Sequence, residues 1–167
     1  MALYHYSPKD VSVTIAGVYQ VTGYVDDVFI NLTKDVKPFE NTRSMDGEIA
    51  RLYRKDSGYM LQLSLAQSSP TNDFLSAIYN IDVATQIGKF PLFIKDGRGS
   101  TTFMSLTTWI EDIPEVSFSN GMEARVWTFK CTQASLNIGG NTDMSDFAET
   151  ALFGASLLPL LKDFGVF

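Results

Sequence analysis

Tyr59-Met60-Leu61-Gln62-Leu63-Ser64-Leu65-Ala66 alternates cleanly between apolar and other side chains. Successive side chains of a strand point to opposite faces. Tyr59, Leu61, Leu63 and Leu65 therefore share one face, and Met60, Gln62, Ser64 and Ala66 share the other. The stretch reads as a half-buried strand whose outer face carries no charge. Upstream, Lys55-Asp56-Ser57-Gly58 has turn chemistry, with Gly58 free to take positive φ. Residues 48–54 and 59–66 are thus expected to form a hairpin. Downstream, Ser69 is a candidate cap, Pro70 suits a first helical position and Asp73 favours the first turn. Phe74, Ala77, Ile78 and Ile81 come next at helical spacing with Leu75 beside them. This predicts one helix over about 70–82, laid on a sheet.

The rest of the chain reads mainly as strands. Residues 11–17 place Val11, Val13 and Ile15 on one face, and Gly17 and Gly23 punctuate the next stretch. Residues 24–32 form a second apolar run, whereas Pro38 and Asn41 make 36–45 irregular. Residues 89–95 form a short strand, and Asp96-Gly97 is a strong turn signal. Residues 101–113 form the next strand, ended by Pro114. Residues 115–121 are a loop, and 124–138 form a last long strand. The expected fold is mainly β, two packed antiparallel sheets as a sandwich or barrel with one flanking helix. We divide the chain into a β domain, 1–140, and a C-terminal part, 141–167. In the latter, residues 143–152 are expected to form a short helix. An unusually apolar tail comes after it, with Leu157, Leu158, Leu160, Leu161, Phe164 and Phe167. Such a tail needs cover, on its own domain or on an adjacent subunit.

The 167 residues carry a net charge of −6 and 45% hydrophobic residues. The length suits one domain with a sizeable core. Acidity argues against a surface that grips phosphates, which needs concentrated lysine and arginine. The first ten residues lack a basic start followed by an apolar run, so no secretory signal is expected. No stretch is long enough for a membrane span, and Pro159 interrupts the longest candidate.

No catalytic signature emerges. There is one cysteine and one histidine. There is no nucleophile elbow and no phosphate loop. Asp26-Asp27 and Glu111-Asp112 are adjacent on strands, so each pair faces opposite ways and converges on nothing. Cys131 reads as a buried small hydrophobe. Trp109 and Trp127 read as packing residues. Base-stacking platforms would come with more basic residues than Arg125 and Lys130 beside Trp127. No cofactor or metal is expected.

The order of these pieces resembles a tail tube protein of a contractile-tailed bacteriophage, similar in fold to pyocin and type VI secretion tubes. The resemblance rests on Val28-Phe29-Ile30-Asn31-Leu32, Asp46-Gly47-Glu48-Ile49-Ala50-Arg51, residues 61–76, Asp96-Gly97-Arg98-Gly99 and Trp109-Ile110-Glu111-Asp112-Ile113-Pro114. It spans about 28–138. It implies a virion structural protein, made in the host cytoplasm, that stacks as hexameric rings into a tube. The inner sheets of six subunits would join as a 24-stranded barrel. Double-stranded DNA would pass without specific binding, the sheath would lie outside, and a baseplate and terminator would hold the ends. Strand spacing and tilt give such a barrel a backbone diameter of roughly 48 Å, against roughly 16 Å for eight strands. On that reading the hairpin 48–54/59–66 belongs to the inner sheet, with 101–113 and 124–138 as its other pair. Met60, Gln62, Ser64 and Ala66 would face the lumen. Arg54, Lys55, Asp56, Ser57 and Gly58 would form a ring-stacking tip, and the apolar tail would cover a neighbour. An ordinary solvated sheet face is the alternative for residues 59–66. A tube initiator or terminator, another β-sandwich baseplate component, or a secretion-type tube is the alternative for the whole chain.

Overall fold

The computed structural model describes residues 6–141. The expected C-terminal helix and the apolar tail lie outside these residues. Nine strands and one helix run in order: β1 Val11–Ile15, β2 Tyr19–Gln20, β3 Ile30–Lys34, β4 Phe39–Arg43, β5 Ile49–Tyr53, β6 Tyr59–Ala66, α1 Thr71–Thr85, β7 Phe90–Asp96, β8 Thr102–Asp112 and β9 Ala124–Asn137. A 3-10 turn, Pro8–Asp10, precedes β1.

There are two sheets, as expected, but their composition differs from the sequence reading. One has seven strands in the order β2-β1-β7-β8-β9-β6-β3, and the other is a two-stranded ribbon of β4 and β5. The expected hairpin of 48–54 with 59–66 does not form. β5 pairs with β4, from Phe39↔Tyr53 to Arg43↔Ile49. β6 lies between β9 and β3, with Leu61 opposite both Phe129 and Leu32. The turn that decides this is Asp46-Gly47, where Gly47 takes φ +86° and the Ser44 N–H donates to the Glu48 carbonyl at 2.9 Å. That turn closes residues 44–48 and sends β5 back along β4, so 36–45 is not irregular.

The 24-stranded barrel is also not supported. The barrel estimate assigned four strands of each subunit to one inner sheet, and β5 is not in that sheet. In the large sheet β2 and β3 stand at the ends of the order, and among the described residues no sheet closes. The segment after β2 does reach β6, through an isolated Tyr24↔Leu65 bridge and an Ala66 N–H to Gly23 carbonyl bond of 2.8 Å. These bonds do not join β2 itself to β6.

The chain divides into two compact units. The larger comprises Val13–Ile94 and Phe103–Leu136. Its core obeys strand alternation: Leu61, Leu63 and Leu65 of β6, Trp127, Phe129 and Cys131 of β9, and Phe90 and Leu92 of β7 are all buried. On β8 the alternation slips. Phe103 and Ser105 are buried, and then Thr108 and Ile110. One residue is gained between them, as at a β-bulge. The slip is held by polar bonds: Ser105 Oγ donates to the Thr132 carbonyl at 2.8 Å, and Thr132 Oγ1 to the Thr107 carbonyl at 3.1 Å.

Helix α1 starts as its sequence foretells. Ser69 Oγ accepts from the Thr71 N–H at 3.2 Å, which satisfies one of the four N–H groups a helix start leaves open. The same Ser69 hydroxyl donates to the Thr22 carbonyl at 2.6 Å, and Thr71 Oγ1 accepts from the Thr22 N–H at 3.2 Å. This buried polar knot pins the strand crossover to the helix start. Gly23 sits against it, where an added Cβ would lie 2.6 Å from Ser69 Cβ. Leu75 is fully buried, and Phe74 stacks on Tyr19 with ring centroids 3.8 Å apart. Ile81, predicted on the apolar face, is 52% exposed. Only the first half of the helix is inserted.

The smaller unit comprises, among the described residues, 6–12, 95–102 and 137–141. Within its described part the Asp96-Gly97 turn forms as predicted. Asp96 Oδ1 accepts from the Arg98 N–H at 3.0 Å, and Arg98 Nε donates to Asp10 Oδ2 at 2.8 Å. Asn141 Nδ2 donates to Asp96 Oδ2 at 2.7 Å.

Candidate assembly surfaces

The outer face of β6 carries Met60, Gln62, Ser64 and Ala66, opposite the buried Leu61, Leu63 and Leu65. Register extends this face sideways. Gln62 lies between Asn31 of β3 and Thr128 of β9, and Met60 lies between Thr33 and Lys130. Ser64 and Ala66 lie opposite Val126 and Ala124. The result is a strip three strands wide, polar but almost uncharged. Asn31 Nδ2 donates to Gln62 Oε1 at 3.5 Å across it.

Lys130 is the one cation among these facing positions, and it is paired. Its ammonium contacts the Asp35 carboxylate, with side chains only 26% and 15% exposed. The adjoining Lys34 ammonium donates to the Asp56 carbonyl at 3.0 Å and lies over the Tyr59 ring. Both cations at this end of the strip are therefore engaged by the protein itself. Sequence reading found the strip from β6 alone. It missed Asp35, because nothing in the sequence places that residue beside Lys130.

The ribbon is a second surface. All five residues of β5 are exposed, and so are Phe39 of β4 and Met45 at the turn. Ile49 is 61% exposed and Tyr53 66% exposed. Phe39 and Tyr53 pair across the strands with centroids 5.4 Å apart, and Arg51 covers Phe39. An exposed Arg54–Glu40 ion pair of 3.0 Å completes the cross-strand contacts. A two-stranded ribbon with no third layer is marginal in water. Its large apolar side chains make it a surface for contact.

In the Arg54 to Gly58 segment, residues 54–57 are exposed and Gly58 is tied down. The Gly58 N–H donates to Asp56 Oδ1 at 2.6 Å, and the Asp35 N–H donates to the Gly58 carbonyl at 3.2 Å. Gly58 is buried and is not among the positive-φ glycines. An added Cβ there would lie 2.9 Å from Asp56 Oδ1 and 3.2 Å from Asp35 Oδ2. Glycine serves close approach at this position. Residues 44–47, at the turn of the ribbon, are exposed as well. Leu157, Leu158, Leu160, Leu161, Phe164 and Phe167 lie outside the described residues.

The remaining candidates settle as packing. The Trp127 indole donates to Asn72 Oδ1 at 2.9 Å and is buried. Burial pushes the Cys131 thiol up, so it is held neutral and unreactive. Burial also raises the Tyr24 phenol, to about 12. Among the described residues no group of His, Cys, Asp and Glu is placed to hold a metal. No helix there is long and apolar enough to cross a membrane.

This architecture is the fold of components of contractile injection systems. The structure of the anti-feeding prophage cap (its tube terminating cap) superposes with a TM-score of 0.50 and 16% identity, covering 81% of this chain and 92% of that one. The sheath/tube terminator of the extracellular contractile injection system PVC, in the extended state, gives 0.53 and 12% identity over 81% and 99%. Its sheath-tube complex in the extended state gives 0.50 and 12% identity over 80% and 92%. No protein-family profile matches the chain. Structural protein ORF10 of Pseudomonas phage KPP10 is 30% identical over an alignment of 147 residues that covers 84% of this chain and 85% of that protein. The chain belongs to the family of that phage structural protein. That family is one of phage structural proteins.

Proposed function

We propose that copies of this chain stack as hexameric rings into the inner tube of a contractile tail, a conduit for genome DNA. The sheath surrounds that tube, and baseplate and terminator hold its ends. The observation that carries this reading is the strip of Met60, Gln62, Ser64 and Ala66 with Asn31, Thr33 and Thr128 beside it. A wall that DNA must slide along has to avoid counterion-releasing contacts, because each neutralised phosphate adds to affinity. The strip offers weak hydrogen-bonding groups, and Asp35 cancels its one lysine. Net acidity adds repulsion.

The exposed ribbon supplies the contact between rings on this reading, with Met45 at its tip and Ile49, Leu52 and Tyr53 along its length. The apolar tail covers an adjacent protein surface. Negative-stain microscopy of the purified protein tests the proposal. Rings or tubes with an open bore are expected, and a discrete globule at every concentration would refute it. One observation favours a second reading, a tube terminator: two of the similar solved structures are terminating components. A terminator would form single rings that do not stack and that cap preformed tubes.

A further inference from the structure

A groove of about 400 Å³ opens beside α1, between Ser76 and Tyr79 of the helix, Val116 and Phe118 of the loop after β8, and Trp127 of β9. Its outer wall is apolar and open to solvent: Ile113 is 54% exposed, Val116 65% and Phe118 80%. That wall is fastened from beneath. The Arg125 guanidinium, itself buried, donates to the Ser117 carbonyl at 3.3 Å and to the Glu115 carbonyl at 3.4 Å. The one cation in the lining is thereby spent on the loop backbone. The surroundings are acidic. Helix α1 and residues 103–123 carry Asp73, Asp82, Glu111, Asp112, Glu115 and Glu123, and no lysine or arginine. Glu111 and Asp112 directly precede Ile113, and Glu115 lies between Pro114 and Val116. Such a site suits a partner that is apolar at its centre and cationic at its margin.

The ribbon of this same chain has a face of that kind. Directly opposed residues of an antiparallel pair share a face. The pairs Phe39↔Tyr53, Asn41↔Arg51 and Arg43↔Ile49 therefore put Phe39, Ile49 and Tyr53 together with Arg43 and Arg51. All five are exposed. The Phe39–Tyr53 ring contact and the Arg51 guanidinium over Phe39 agree with that assignment. Glu40, the one carboxylate within the two strands, falls on the other face, where Arg54 pairs with it.

We propose that the ribbon face of Phe39, Ile49 and Tyr53 in one copy seats in the groove beside α1 of a second copy. The inference rests on the reading above that the ribbon joins copies, and it names the surface that receives it. Charge complementarity selects this occupant. Arg43 and Arg51, with no carboxylate on their face of the strands, meet a surface that carries carboxylates and no exposed cation. The side chains are also of the right kind, since buried aromatic residues and arginine anchor most interfaces. Ribbon and groove share no residue, so every copy offers both at once. The contact is therefore heterologous, a head-to-tail joint that closes as a ring or runs on as a stack instead of ending at a pair.

The test is crosslinking between two full-length variants, mixed. Ile49→Cys in one marks the seated face of the ribbon, Val116→Cys in the other marks the wall, and the native Cys131 is buried and silent. Thr42→Cys mixed with Val116→Cys is the control, because Thr42 is exposed on the opposite face of the ribbon. A short bismaleimide should join 49 to 116 between chains at least about tenfold faster than 42 to 116, since docking raises the local thiol concentration. Peptide mass mapping identifies the joined pair. Arg43→Glu with Arg51→Glu in the ribbon partner should slow the joining at least about tenfold, and Glu111→Lys with Glu115→Lys in the wall partner should recover it. All these positions are exposed, so the variants should melt like the parent. Equal rates from 42 and 49, no 49–116 product, or a rate indifferent to the charge reversals would overturn the seat. Negative-stain microscopy of the same mixtures separates the two ideas. Rings or tubes without the 49–116 product sink the seat and leave the tube reading standing; the product in short chains without tubes does the reverse.

Discussion

Replacing Asp35 by Asn leaves the Lys130 ammonium on the strip without its counter-charge. The two side chains are 15% and 26% exposed, so the pair is neither a surface bridge nor fully dry. Breaking a fully buried pair costs about 3–5 kcal/mol, whereas an exposed pair is worth about 0–1 kcal/mol. Partial access lets water reach the orphaned ammonium, so an intermediate loss of about 1–2 kcal/mol is expected. For a chain of this size that lowers Tm by about 3–6 °C. Lys130→Met in the same molecule removes the uncompensated charge and should restore most of the loss. Thermal melts followed by circular dichroism measure the single and double variants. An Asp35→Asn protein that melts with the parent, or a double variant no better than the single, would refute the pairing. The single variant also bares one cation on the strip. If that strip is the bore, tubes of Asp35→Asn should retain DNA more strongly, and retention should weaken as salt rises.

Gly23→Ala should be among the costliest small changes, because φ is +76° and the new Cβ would meet Ser69; a loss above about 1 kcal/mol in chemical denaturation is expected. Leu63→Ala should lose about 2–5 kcal/mol by opening a cavity, while Gln62→Ala on the opposite, exposed face should stay within about 0.5 kcal/mol; equal effects would reverse the face assignment. The Tyr24 phenol is raised to about 12 by burial, so the folded form keeps its proton where the unfolded chain, near 10, has lost it. Its contribution is complete below pH 10 and disappears as pH rises towards 12, and Tyr24→Phe should flatten that part of a pH–Tm profile. Met45→Asp with Ile49→Asp, both exposed, should leave Tm unchanged but abolish stacking of rings in microscopy; unchanged tubes would remove the ribbon from the ring contact.

Local rules located most elements, because each is written in neighbouring residues. The alternation of residues 59–66 identified β6 and both of its faces, and the Ser69-Pro70 start identified α1. Pairing was less legible, and the failure has a definite cause. Two turn signals flank residues 48–54: Asp46-Gly47 on one side, Lys55 to Gly58 on the other. Either makes a plausible hairpin. Gly47 takes positive φ and closes a tight turn, whereas Gly58 is used for close packing against Asp35 and Asp56. Composition does not distinguish a glycine that bends from one that makes room. The outcome moved β5 out of the large sheet, and the barrel estimate built on it failed as well. Contacts distant in sequence, such as Asp35 with Lys130 or Thr22 with Thr71, carry no local signature at all. Yet they decide how the strip is neutralised and how the strand crossover is fixed. For a structural protein, the surface matters more than any catalytic motif. An uncharged strand face is the same string of residues whether it meets solvent or a passing duplex. What favours the second use is the cancelled lysine beside it. On any face a partly buried lysine gains stability from such a carboxylate, and a sliding surface gains in addition the loss of a charge that would hold phosphate.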